Sequence, residues 1–128
     1  LQYFINTYPE STFIENANNL IFDLEFRLEQ KDFNIALQYN RLSDYQAAIK
    51  SFENFLVDFP GSSLREKAMY YRFDSAYNLA VNSVKWKQPE RIVKTVNYYN
   101  SFKLNYVESD FLKEMDSKMS ELEKITNN

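Results

Sequence analysis

A chain of 128 residues, 45% of them apolar, is long enough to bury one core. It contains no cysteine and no histidine, which excludes disulfides, thiolate nucleophiles, Cys-type zinc sites and the commonest general base. A net charge of −3 offers no broad attraction to nucleic acid or to anionic lipid. Glycine occurs once and proline three times. Hairpins and dinucleotide-binding loops need turn glycines, so this scarcity predicts helices joined by tight corners. Aromatic residues reach 17%, and large rings are what a helix stack uses to fill the space between its members. No run approaches the ~20 apolar residues of a membrane span, and no signal segment is visible. The chain opens without Met at Leu1-Gln2-Tyr3-Phe4, already inside an apolar-periodic stretch, and reads as a fragment.

An internal repeat organises the chain. Phe4, Tyr8, Pro9, Ser11 and Ala17 recur 51 positions on as Phe55, Phe59, Pro60, Ser62 and Ala68. A weaker copy follows 47 positions later at Phe102, Tyr106, Ser109 and Met115. Each copy is an aromatic helix end, a stop, a capping serine and a new amphipathic run. After the first corner, Ser11 or Thr12 is expected to cap a helix whose apolar face is Ile14, Ala17, Leu20, Ile21, Leu24 and Leu28. Phe33, Ile35, Ala36, Tyr39 and Leu42 extend that face without Gly or Pro, so residues 12–42 are predicted as one long helix with a possible kink at Gln30–Asp32. Asp44 caps the second helix, 44–59, with Tyr45, Ala48, Ile49, Phe52, Leu56 and Phe59 inward. Pro60-Gly61 ends it, and Ser62 or Ser63 opens a third helix over 63–84. Lys85-Trp86-Lys87-Gln88 turns the chain, and Pro89 suits the first turn of a helix over 89–106. The last helix, 109–126, buries Phe111, Leu112, Met115, Met119, Leu122 and Ile125 beneath a heavily charged outer face.

Residues 35–60 resemble the tetratricopeptide consensus. Ile35, Ala36 and Tyr39 stand at the apolar, small and aromatic places of its first helix, and Ala48, Phe52 and Pro60 at those of its second. Phe55 departs by replacing a usually small residue, and spacings of 51 and 47 exceed the standard repeat, so elongated helices are expected. The resemblance implies an all-α, tetratricopeptide-like helical-repeat stack forming a single domain over 1–128. Across nearly the whole chain the order of elements is similar to the C-terminal half of BamD/YfiO-type outer-membrane assembly lipoproteins. The stretches FINTYPESTFIENA and LEQKDFNIALQYNRLSDYQAAIKSFENFLVDFPGS carry this likeness, with the final two helices. It implies a non-catalytic scaffold at the periplasmic face of a Gram-negative outer membrane. Such a protein would be held by a lipid anchor that these residues lack, and would bind the periplasmic repeats of the β-barrel insertase and other assembly lipoproteins. Two further readings stand beside it: a generic tetratricopeptide adaptor for a peptide or protein, and an accessory domain of a larger enzyme.

No catalytic or metal constellation emerges, and no cofactor is expected. Carboxylates two apart, such as Asp23 and Glu25 or Glu121 and Glu123, fall on different helix faces. A calcium loop needs alternating oxygen ligands around a glycine, and the single glycine, Gly61, lies in a Pro-Gly-Ser turn. Candidate partner-binding residues are Trp86 with Lys85, Lys87 and Arg91 around it, because an exposed Trp flanked by cations suits a hot spot; the ring is equally suited to stapling the corner to a neighbouring helix. Tyr70 and Tyr98, each the first of a tandem pair, are further candidates, since adjacent helix positions point about 100° apart and one of each pair can face a groove.

Overall fold

The computed structural model describes residues 10–127, with side chains from 14 to 126. Among the described residues there are five helices and no strand: α1 (Glu10–Arg41), α2 (Tyr45–Asp58), α3 (Arg65–Val81), α4 (Gln88–Asn105) and α5 (Phe111–Asn127). This is the expected all-α, tetratricopeptide-like stack, with helix ends displaced by at most three residues from those read in the sequence. Helix α1 is continuous for 32 residues, so Gln30–Asp32 does not interrupt it. It already includes Ser11 and Thr12, so neither serves as its cap; the repeat copy at Phe4, Tyr8 and Pro9 lies outside the described residues.

The corners are closed by local hydrogen bonds. At the end of α1, the Ser43 amide bonds the Asn40 carbonyl and the Asp44 amide bonds the Tyr39 carbonyl, the paired pattern of a Schellman turn. Ser43 takes the left-handed residue of that turn at φ 64°, a place usually given to glycine. Asp44 then caps α2 as expected, its carboxylate accepting from the Ala47 amide at 3.3 Å. At the next corner the Ser62 hydroxyl accepts from the Leu64 amide at 3.0 Å and donates to Glu29 on α1 at 2.9 Å. Neither Ser62 nor Ser63 is the cap of α3, because the helix starts later than expected, at Arg65, with Leu64 in the capping place and no side-chain cap. Ser62 instead closes the turn before it and ties that turn to the first helix.

Packing alternates between two layers. Helix α2 lies against α1 and α3, and α4 against α3 and α5, while α3 also meets α1 and α5 directly. The layer α1–α3–α5 thus carries α2 and α4 on one side. Ala36 and Ala48 are fully buried and let α1 and α2 approach closely; Phe33, Phe52, Phe55 and Ala68 complete that cluster. Phe33 meets Phe52 and Phe55 edge-on at 5.8 and 5.9 Å. A second cluster joins Met69, Phe73, Tyr98, Phe102 and Met115 across α3, α4 and α5. Two parts of the predicted core are not buried. Ile35, Tyr39 and Leu42 stay exposed: Ile35 borders a shallow gap beside Ser51, Asn54 and Asp58 of α2 instead of entering the core, Leu42 lies past the end of α1, and the buried contact is made by Phe33 and Ala36. Ile14, Leu20, Ile21, Leu24 and Leu28 are exposed as well, since no described helix runs beside that part of α1.

Candidate partner-binding groove

The corner between α3 and α4 is built to hold a side chain outward. Helix α3 ends at Val81, earlier than expected, because the Ser83 hydroxyl bonds the Leu79 carbonyl at 2.5 Å and competes with continued helix. Arg91 donates to the same hydroxyl at 2.5 Å from the first turns of α4. The Lys87 and Gln88 amides bond the Val84 carbonyl at 3.0 and 3.2 Å, and Pro89 lies in the first turn of α4, where a missing N–H costs nothing. Trp86 sits on this braced turn with 77% of its surface exposed. The ring therefore staples nothing; the Lys87 ammonium lies 4.9 Å from its centroid.

Trp86 forms one wall of a groove of about 440 Å³ between α2 and α4. Leu79 of α3 contributes from between the two helices, Ile49, Lys50 and Glu53 come from α2, and Lys87, Arg91 and Lys94 from the corner and α4. Lys94 reaches Glu53 across the groove at 3.7 Å, so one cation is already partly neutralised. Tyr98 does not line the groove but supports it from the core: its hydroxyl donates to Glu53, and the Arg72 guanidinium stacks over its ring at 4.1 Å. Burial, reinforced by the Glu53 carboxylate, pushes the Tyr98 hydroxyl well above the usual phenol range, so it remains a donor. Burial also lowers Arg72, with Tyr98 and Glu53 opposing the shift.

Of the sequence-predicted residues, the structure brings Trp86, Lys87 and Arg91 together in this groove. Lys85 turns the other way, to the edge of a larger depression of about 770 Å³ lined by Pro89, Ile92, Val93 and Ile125 between α4 and α5. Tyr70 and Tyr98 are 5% and 8% exposed and present no ring to a partner. Tyr70 stacks on Phe111 with centroids 4.4 Å apart, and burial raises its hydroxyl to about 12, although Lys118 works against the shift. Lys50 and Lys94 were not singled out in the sequence. Lys94 was within reach, three residues after Arg91 on one helix face; Lys50 comes from another helix and carried no such signal.

A second polar assembly, also not anticipated, joins the opposite layer. Asp74 on α3 receives Lys118 of α5, Asn40 of α1 at 3.1 Å and Asn78 at 3.3 Å. Lys118 is bonded in addition to the Tyr70 hydroxyl at 3.1 Å, and Asn40 to Ser75 at 2.8 Å. Every polar group of this clasp finds a partner within the protein, which makes it a structural device rather than a vacant binding site.

Among the described residues no group of His, Cys, Asp or Glu is arranged to hold a metal ion, and no helix is long and apolar enough to cross a membrane. No curated protein matches the chain. The family model of YfiO, described as an outer membrane lipoprotein, matches residues 1–90, from the start of the chain to the first turn of α4. With more than half of its length covered and the all-α stack in place, the chain belongs to the YfiO outer membrane lipoprotein family.

Proposed function

We propose that the protein is a non-catalytic scaffold of the machinery that assembles β-barrel proteins in the outer membrane, working at the periplasmic face of that membrane. Membership of an outer membrane lipoprotein family supports the location, and attachment in this reading comes from lipidation, not from a spanning helix. The observation that carries the docking role is Trp86, a large ring held in solvent by a braced corner at the edge of a mixed-charge groove. A Trp beside arginine and lysine is the composition that dominates protein–protein hot spots, and a rigid indole with only two side-chain torsions loses little entropy on contact. Its partners in this reading are the periplasmic repeats of the β-barrel insertase and companion assembly lipoproteins. They dock by shape and charge against a rigid stack.

Affinity capture from cell envelope with the full-length protein tests the reading. Recovery of the insertase by the wild type, and its loss with Lys87→Glu and Arg91→Glu together, is the expected result. Recovery of soluble cytoplasmic proteins without any envelope partner refutes the scaffold role and leaves a general adaptor.

A further inference from the structure

The charge around the α2–α4 groove is opposite to that of the chain. Overall the protein carries −3, yet the groove is lined by Lys50, Lys87, Arg91 and Lys94 against only Glu53 and Glu90. The excess continues along α3. Arg72 and Arg65 lie seven and fourteen residues before Leu79 and so share its helix face. Both are held in place, Arg72 over the Tyr98 ring and Arg65 by its Nη1 donating to the Tyr106 hydroxyl at 3.0 Å. Arg72 Nε is buried without a hydrogen-bond partner. A row of fixed cations on an acidic protein is not accounted for by general solubility, which scattered charge would serve as well.

We infer that the occupant of this groove is an acidic segment of a partner protein, setting carboxylates against Lys50, Lys87 and Arg91 and an apolar side chain on Trp86. That the occupant is a protein rests on the scaffold reading above; its charge rests on the groove alone. Glu53 and Glu90 select against a uniform polyanion, because a phosphate chain or an anionic lipid surface would bring negative charge onto both. A polypeptide can place neutral or basic residues at those two points and carboxylates elsewhere. Lys50 is exposed and Lys87 is turned over the Trp86 ring, so both ammonium groups are placed to meet an incoming carboxylate. Lys94 is already engaged with Glu53 and acts mainly by keeping that carboxylate neutralised.

Fluorescence anisotropy with this chain and a short labelled peptide of alternating Glu and Leu tests the assignment against the same peptide carrying Gln for Glu. Saturable binding of the Glu peptide, weakening as salt rises, is expected. Lys50→Glu with Lys87→Glu is expected to weaken it roughly tenfold, whereas Lys113→Glu with Lys124→Glu on α5, an equal change of net charge, leaves it intact. Both groove lysines lie outside the core clusters, so folding is not at issue; circular dichroism confirms it. Equal binding of the Gln peptide, an equal loss from the α5 pair, or charge-dependent binding of phosphatidylglycerol vesicles without the Glu peptide each overturns the assignment. Envelope capture separates the two ideas. Insertase recovery insensitive to Lys50 and Lys87 removes the acidic occupant but not the scaffold. Peptide binding without any envelope partner removes the scaffold but not the groove's preference.

Discussion

Replacing Lys118 by methionine tests the clasp that joins α1, α3 and α5. The substitution keeps most of the aliphatic stem and removes the charge, leaving the Asp74 carboxylate with Asn40 and Asn78 but no cation. Exposed ion pairs contribute about 0–1 kcal/mol, whereas breaking a buried pair costs ~3–5 kcal/mol. The side chains here are 20% and 14% exposed, nearer the buried limit, so a loss of about 2–3 kcal/mol follows. For a chain of this size that corresponds to a melting point lower by roughly 6–10 °C. Adding Asp74→Asn removes the stranded charge, so the double variant is expected to recover ~1–2 kcal/mol relative to additive losses. Urea unfolding followed by circular dichroism gives all four corners of that cycle. A single-variant loss under about 0.5 kcal/mol, or a coupling indistinguishable from zero, would refute the view that this pair holds the layer together.

Alkaline pH acts on the same region. Tyr70 and Tyr99 are raised to about 12, Tyr70 chiefly by burial and Tyr99 chiefly by its bond to Asp116, and Lys118 is raised because Asp74 and Tyr70 outweigh its burial. The folded state holds these protons more tightly than the unfolded chain, so stability is complete below pH 10 and declines as pH climbs from 10 to 12; melting points across that range, with tyrosinate absorbance, check it. Phe55→Ala restores the small residue usual at this repeat position but empties a site packed by Phe33 and Phe59, and is expected to cost about 3–5 kcal/mol in urea unfolding. Trp86→Ala is expected to change stability by less than about 0.5 kcal/mol while abolishing partner capture, a separation that a stapling role for the ring would not allow. Ser43→Gly relieves the left-handed turn and raises the melting point slightly, whereas Ser43→Val lowers stability by roughly 1–2 kcal/mol.

Local rules were readable where they act over short spans. Asp44 as a cap, Pro89 in a first turn and Ala36 opposite Ala48 each follow from neighbouring residues and recur in the structure. The clasp did not, because Asn40, Asp74 and Lys118 stand on three helices and no periodicity links them. The tandem tyrosines show a different limit. Spacing says that one ring of each pair turns inward but not which, and it is Tyr70 and Tyr98 that enter the core. On α1, apolar residues occur on more than one side, so periodicity identified a helix without revealing which stripe meets α2. The groove was half visible for a related reason: its α4 wall is a stripe on one helix, and its α2 wall depends on how the helices pair.

The length of α1 gives one helix two mechanical regimes. From Glu29 onward it is clamped by Phe33 and Ala36 in the core and by the Ser62–Glu29 link. Its first half, from Ile14 to Leu28, is held among the described residues only by its own backbone ladder, and short isolated helices are marginal in water. Amide exchange along this single element should therefore change by orders of magnitude without any break in geometry, from near-global protection around Ala36 to rapid opening near Ile14. Among the described residues the helix is therefore a cantilever, anchored in the stack at its C-terminal end alone.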